Sequence, residues 1–237
     1  MAKKFLTAQW NNLIMANYLI DPAILLPYLP PKTELDFYHG ECYVSLIGFM
    51  FEQTKMLGFR IPFHINFEEV NLRFYVRVKN GDAWKRGAVF IKEIVPKFAI
   101  TMVANTLYRE KYVTLPMKNF YEESADEINL GYHWKYKGSW NKLEATTQLK
   151  NSPMIAGSKE EFIAEHYWGY SKYNALTTFE YAVQHPSWLV HKVKSFKIEC
   201  NFQKLYGSQF AFLDSAKPDT VFMAQGSPIA ILHKKNL

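Results

Sequence analysis

The chain has 237 residues, a formal net charge of +6 and two cysteines. Apolar residues make up 49% and aromatics 16%, which excludes a disordered chain and lets a globule of this length bury a core without staples. The mild positive balance favours solubility and does not announce a polyanionic partner. Cys42 and Cys200 lie far apart without metal-type spacing, so a bridge stays open and a reducing cytoplasm is the expected compartment.

Taken in chain order, Met1–Phe5 carries basic residues, but Thr7, Gln9, Asn11 and Asn12 interrupt any signal-like apolar run. Asp21-Pro22 starts a short helix through Leu26, with Asp21 as cap and Pro22 in the first turn. The proline-rich stretch from Leu26 to Pro31 is a stiff turn. Strands follow at 33–38 and 41–53, joined by His39-Gly40. The apolar run from Tyr43 to Phe51 is far short of the ~20 residues that span a bilayer, so no membrane partner is expected.

Strands at 68–79 and 86–95 flank Asn80-Gly81-Asp82, a strong turn signal. After Pro96, the spacing of Ala99, Met102, Val103, Thr106 and Leu107 predicts a helix over 97–109. Strands are expected at 112–121, 127–137 and 140–149. Ser158-Lys159-Glu160-Glu161 is a capping box opening a helix to Trp168, anchored by Phe162, Ile163 and Tyr167. Strands at 173–184, 193–201, 219–225 and 228–233 complete the chain, with a short helix over 204–213. The fold class is α+β, predominantly β. The expectation is a single domain, 1–237, with a curled, barrel-type sheet and a few flanking helices.

The richest segment runs from Asn66 to Arg77. Leu72, Phe74 and Val76 alternate with Asn71, Arg73, Tyr75 and Arg77, and Glu69 falls on the polar side. Such a face either lines a cavity, where an arginine fork grips a carboxylate, or meets water and pairs with neighbouring strands. In the 86–95 strand, Lys92 alternates with Ile91 and Glu93 and is expected on the solvent side. Tyr108-Arg109-Glu110-Lys111-Tyr112 follows the helix directly and is either the mouth of a site or an ordinary polar helix exit.

Other chemistry finds no support. The seven histidines form no zinc arrangement, so no metal is expected. His185-Pro186-Ser187-Trp188 reads as a structured turn with a tryptophan plug. The nucleophile elbow, the phosphate loop and the dinucleotide fingerprint are absent, and no cofactor is expected. Basic residues are scattered, and the aromatics sit at strand spacing, so no nucleic-acid partner is expected.

Phe67-Glu68-Glu69-Val70-Asn71-Leu72-Arg73-Phe74-Tyr75-Val76 resembles the F-x-E-x-N-x-R-x-Y-V stretch of the YqjF-like bacterial proteins, a family of unknown function. The likeness continues through Arg86–Glu93, Tyr108–Tyr112, Glu161–Tyr167, His185–Trp188, Leu205-Tyr206-Gly207 and Ala224–Ser227. That family is similar in fold to acetoacetate decarboxylase, which implies a barrel-like core with an internal cavity. The decarboxylase forms an imine on a lysine in a Gly-Tyr-Pro-Lys-Lys run, assisted by a second lysine. Here the matching position is Tyr112, with Lys111 one residue early. A one-residue slip turns a side chain to the other face, so the resemblance does not carry imine chemistry across.

The resulting expectation is a cytoplasmic protein binding a small, anionic or aromatic metabolite. Glu69, Asn71, Arg73, Glu93 and Glu110 are the expected ligand-binding residues, and Tyr112 and Lys111 the candidates for moving a proton. The rival readings are a lyase- or hydrolase-like enzyme acting on a keto acid, and an interaction protein whose cavity is filled by its own side chains.

Overall fold

Residues at strand period pair into one hydrogen-bonded sheet in the computed structural model, which describes residues 3–237. In chain order the elements are β1 (Lys4–Leu19), α1 (Pro22–Leu25), β2 (Glu34–Leu35), β3 (Tyr43–Met56), β4 (Phe67–Asn80) and β5 (Ala83–Val95). Then come α2 (Phe98–Val103), β6 (Tyr112–Thr114), β7 (Met117–Glu123), β8 (Glu127–Tyr136), β9 (Ser139–Pro153) and α3 (Lys159–Ala164). The last are β10 (Trp168–Lys172), β11 (Thr178–Gln184), β12 (Leu189–Glu199), α4 (Phe202–Tyr206), β13 (Thr220–Leu232) and β14 (Lys235–Asn236).

Seven strands close on themselves in the order β1-β3-β4-β5-β10-β11-β13. β13 runs along β1 from Lys4↔Leu232 to Asn17↔Thr220 and meets β11 at Val183↔Ile231 and Gln184↔Ala230. Neighbours in this ring are antiparallel except β5 and β10, which are parallel through Gly87↔Trp168 and Ala88↔Gly169. The backbones come so close there that a Cβ on Gly87 would lie 2.5 Å from the Trp168 carbonyl oxygen. The remaining strands, β12-β9-β8-β7, extend from β13 at Val190↔Ala224.

Two apolar layers result. Leu13, Met15, Phe49, Tyr75, Tyr181 and Trp188 pack inside the ring. On its outer side, Ile14, Leu46, Leu72 and Phe74 pack against Leu130, Trp134 and Leu143 of the extension, and against Phe202 and Leu205 of α4. The central ring strands are therefore buried on both faces. Each large apolar side chain removed from water there contributes roughly 1.5–3 kcal/mol. Cys42 and Cys200 are free thiols. Among the described residues no helix is long and apolar enough to cross a membrane.

Several elements differ from the sequence expectation, each for a local reason. β1 was not expected at all: register shifts between Thr7/Gln9 and Asn11/Ile14, with Asn12 at φ 59°, break its alternation. The 97–109 helix ends as α2 at Val103, widens into a π turn over Ala104–Tyr108 and stops at left-handed Arg109. The 158–168 helix stops as α3 at Ala164, because Trp168 is taken into β10 by pairing with Gly87. Residues 173–177 are a turn rather than strand, with the Asn174 side chain accepting from the backbone N–H groups of Leu176 and Thr177. The 112–121 strand splits into β6 and β7 around Leu115-Pro116. The two expected late strands are one, β13, passing through Gly226 at φ 90°. The strand expected at 33–38 contracts to β2, and the 204–213 helix becomes α4 followed by a 3-10 helix over Ser208–Asp214.

Lys92 also departs from expectation. A bulge in β5 leaves Ile91 unpaired between Leu72↔Lys92 and Arg73↔Phe90. The extra residue turns Ile91 and Lys92 to the same outer side. Lys92 is half-buried there: its amine donates to the Leu205 carbonyl under α4, and burial lowers its pKa.

Candidate functional site

The inward face of β4 carries Glu69, Asn71 and Arg73, only 2%, 2% and 9% exposed. Asn71 is opposite Glu93 of β5, and Glu93 is opposite Tyr112 of β6. Cross-strand partners on one face stand about 5 Å apart, so an amide, a carboxyl and a phenol form one row. Asn105, in the π turn, brackets the last of these. Its Nδ2 donates to the Tyr112 carbonyl at 2.9 Å and its Oδ1 accepts from the Tyr112 N–H at 2.8 Å. Asn105→Ala leaves both backbone groups without that partner; about 2 kcal/mol of stability is expected to go. Hydrogen exchange at the Tyr112 amide, faster in the variant, checks it.

The Glu69 carboxyl is gripped from both sides. Asn71 Nδ2 donates to Oε1 at 2.9 Å and the Tyr112 hydroxyl donates to Oε2 at 2.9 Å. Arg73 donates to the Ile163 carbonyl at 3.1 Å, near the end of α3. The Tyr181 hydroxyl donates to Glu110 Oε1 at 2.7 Å.

These groups surround a hollow in two chambers. The first leaves about 60 Å³ of free space and is walled by Glu69, Asn71, Arg73, Glu93, Tyr112 and His166 together with Trp10, Phe49, Phe90, Trp168 and Trp188. The second leaves about 70 Å³, is lined by Phe5, Met56, Phe67, Ile100, Val103 and Glu110, and shares Glu93, Tyr112 and Tyr181 with the first. Asn71 Oδ1, Arg73 Nε, Glu93 Oε2, His166 Nδ1 and Trp10 Nε1 are buried and make no hydrogen bond within the protein. Buried polar atoms are normally satisfied, and these five exceptions gather around one hollow.

The electrostatics follow from burial. Desolvation pushes the Glu69 carboxyl up to about 7, against the hydrogen bonds of Asn71 and Tyr112 and the charge of Arg73. It pushes Glu110 up to about 8. Glu93 is raised well above the usual carboxylate range, by burial first and then by the charges of Glu110 and Glu69. Burial likewise raises the phenols of Tyr112 and Tyr181. The cavity thus holds carboxylic acids near neutrality, able to donate as well as accept protons.

Of the residues expected from sequence, Glu69, Asn71, Arg73, Glu93 and Tyr112 come together in the first chamber, and Glu110 stands in the second. Lys111 does not line either chamber; it is exposed, with its amine 4.9 Å from the Tyr28 ring centre. Among the described residues no lysine lines the hollow. His185 stacks on Trp188 at 4.2 Å, and the indole N–H donates to Ser227 Oγ at 2.8 Å, so this turn forms cavity wall. Sequence reasoning missed Asn105, Asp36 and His166. Only His166, inside the string Glu161–Tyr167, offered any signal. Among the described residues no group of three or more His, Cys, Asp or Glu is placed to hold a metal.

Comparison with known proteins agrees with this architecture. The model of the uncharacterized conserved protein family DUF2071 matches residues 7–228. The chain is 28% identical over 192 residues to the uncharacterized protein YqjF of Bacillus subtilis (strain 168), covering 78% of this chain and 75% of that protein. Among solved structures, acetoacetate decarboxylase from Legionella pneumophila superposes with a TM-score of 0.65 at 15% identity, covering 98% of this chain and 86% of that one. An acetoacetate decarboxylase-like enzyme from Sphingomonas wittichii RW1 gives 0.67 at 12% identity, covering 99% and 93%. The enduracididine biosynthesis enzyme MppR, complexed with pyruvate, gives 0.66 at 12% identity, covering 100% and 91%. At such identities the likeness is one of fold.

Proposed function

Since the chain belongs to the uncharacterized conserved family DUF2071 and has the acetoacetate decarboxylase-like fold, we propose that it binds a small organic acid in its internal hollow, as a single domain acting in the cytoplasm. The acid group sits on Arg73, and the apolar body lies against Trp10, Phe49, Phe90 and Trp188. The observation that carries this reading is Arg73 itself. Its guanidinium is buried, forms no ion pair with a carboxylate among the described residues, spends one N–H on a backbone carbonyl and leaves Nε without a partner there. A buried cation without a counter-charge is costly, and a ligand carboxylate supplies one in fork geometry.

Thermal shift with a panel of small aromatic and aliphatic acids tests this. An acid at a hundredfold excess over its Kd is expected to stabilise the protein by about 2.7 kcal/mol, and Arg73→Ala is expected to abolish that shift. Equal stabilisation of the variant overturns the reading.

A second reading is favoured by Glu69. A carboxyl held near 7 and hydrogen-bonded to Tyr112 is suited to proton transfer at neutral pH. An enzyme of lyase or hydrolase type acting on a keto acid, without an imine because no lysine lines the hollow, would use that pair. Product formation from keto acids by the wild type, lost in Glu69→Gln while binding persists, separates catalysis from binding alone.

A further inference from the structure

We propose that His166, held by Asp36, is a fixed hydrogen-bond acceptor in the wall of the hollow, and that the ligand it selects carries a hydroxyl donor beside its acid group. This rests on the acid-binding reading for the acid group alone; the state of His166 stands on its own geometry. The ligand class is a small hydroxy acid with an apolar body.

Asp36 lies on β2's C-terminal flank, where its N–H donates to the Tyr75 carbonyl at 3.0 Å. Arg86 Nε donates to Asp36 Oδ2 at 2.6 Å, and His166 Nε2 is 3.3 Å from the same oxygen. Burial would raise the Asp36 carboxyl, but the His166 and Arg86 hydrogen bonds outweigh it and hold the group below its ordinary range. Asp36 is therefore an ionised, acceptor-only partner. The proton in the Asp36–His166 contact must then sit on Nε2.

A neutral imidazole has one N–H. Burial drives His166 down to about 4, against the pull of Asp36, so the ring is neutral across the physiological range. With its proton on Nε2, Nδ1 is a bare lone pair. That atom is buried and has no partner among the described residues, on a fully buried ring whose residue lines the first chamber. The ring cannot swing to find one: Tyr75 packs over it with centroids 4.4 Å apart, and Phe162 stands edge-on at 5.3 Å. A buried acceptor left empty is unfavourable, and a ligand that fills it gains what a ligand lacking the donor does not.

Arg73 and His166 line the same chamber. Arg73 presents donors and His166 presents an acceptor. A molecule that answers both offers a carboxylate and a hydroxyl a short distance apart. The remaining walls, Trp10, Phe49 and Trp188, suit an aromatic ring.

Two measurements test the proposal on the full chain. Long-range ¹H–¹⁵N correlation spectra of the free protein report the tautomer directly. The expected result is a neutral His166 with its proton on Nε2; a proton on Nδ1, or an imidazolium at neutral pH, overturns the proposal. Matched acids then read selectivity: mandelate against phenylacetate, and phenyllactate against phenylpropanoate. The wild type is expected to bind the better-fitting hydroxy acid about tenfold more tightly than its deoxy partner. His166→Phe, which keeps a ring between Tyr75 and Phe162, is expected to bring that ratio to about one. If His166→Phe does not fold, the tautomer spectrum and the hydroxy-to-deoxy ratio of the wild type decide the proposal on their own. Equal binding of hydroxy and deoxy acids by the wild type also overturns the proposal. If none of the four acids binds, the organic-acid reading fails, and the tautomer spectrum still decides whether His166 is the acceptor.

Discussion

Raising the pH from about 5 to about 9 is expected to cost this protein more stability than it costs the Glu69→Gln variant. The sign follows from burial. Glu69 ionises near 4.5 when unfolded but only near 7 in the cavity, and Glu110 only near 8. Below 4.5 both states hold their protons and nothing is lost. As the pH rises, the unfolded chain releases protons that the folded chain keeps, so folding stability falls until the folded carboxyls ionise in turn. At about 1.4 kcal/mol per pH unit of displacement, Glu69 alone accounts for on the order of 3 kcal/mol. In a chain of this length that is roughly 6 to 12 °C in Tm. Glutamine keeps one carbonyl oxygen to accept from Asn71, turns its NH2 to the Tyr112 hydroxyl and never ionises, so the variant's Tm should decline less over the same range. Thermal melts of both proteins across the pH series decide it. Parallel curves would mean that the Glu69 carboxyl is not held in its acid form by the fold.

Gly87→Ala is expected to cost about 3 kcal/mol, or roughly 10 °C in Tm, although it adds one methyl group. The new Cβ would meet the Trp168 carbonyl oxygen at 2.5 Å and its carbon at 2.9 Å, and both atoms belong to backbone. No rotamer change relieves that contact. The strands must part, and the parallel junction of β5 with β10 rests on only two register pairs, one of them Gly87 itself. Losing it separates Trp168 and Gly169 from the wall they form in the first chamber. Acid binding is therefore expected to weaken along with stability. A Tm within two or three degrees of the wild type, well inside the expected shift, would show that β10 is not held to the ring at this point.

The strand that carries the site was legible because its two faces differ in kind. Glu69, Asn71 and Arg73 alternate with Val70, Leu72 and Phe74, and a period of two fixes which group shares a side. What the pattern could not say is that both sides are buried, the polar one around a hollow and the apolar one beneath the β8–β9 extension. β5 was read with the right extent at its C-terminal end and with Lys92 facing away from Glu93, but Ile91 was put on the wrong side, because that one unpaired residue resets the alternation. β1 escaped notice for a related reason: Asn11 and Asn12 sit at an irregularity, so polar residues interrupt what reads elsewhere as strand. Asn105 and Asp36 were invisible because their roles lie in partners distant in sequence or across a turn, Tyr112 for one and His166 for the other. Sequence periodicity reports facing; it does not report who meets whom across the ring.

The meeting of β13 with β1 has a consequence for how the chain comes into being. Asn17 and Thr220, joined by a hydrogen bond, stand 203 positions apart. A ribosome must therefore deliver nearly all of the polypeptide before the first strand finds its second neighbour. Until then one edge of Lys4–Leu19 offers bare amides and carbonyls to any other chain nearby. Contacts of such long separation form slowly, so nascent copies depend on being kept apart while the last stave is made.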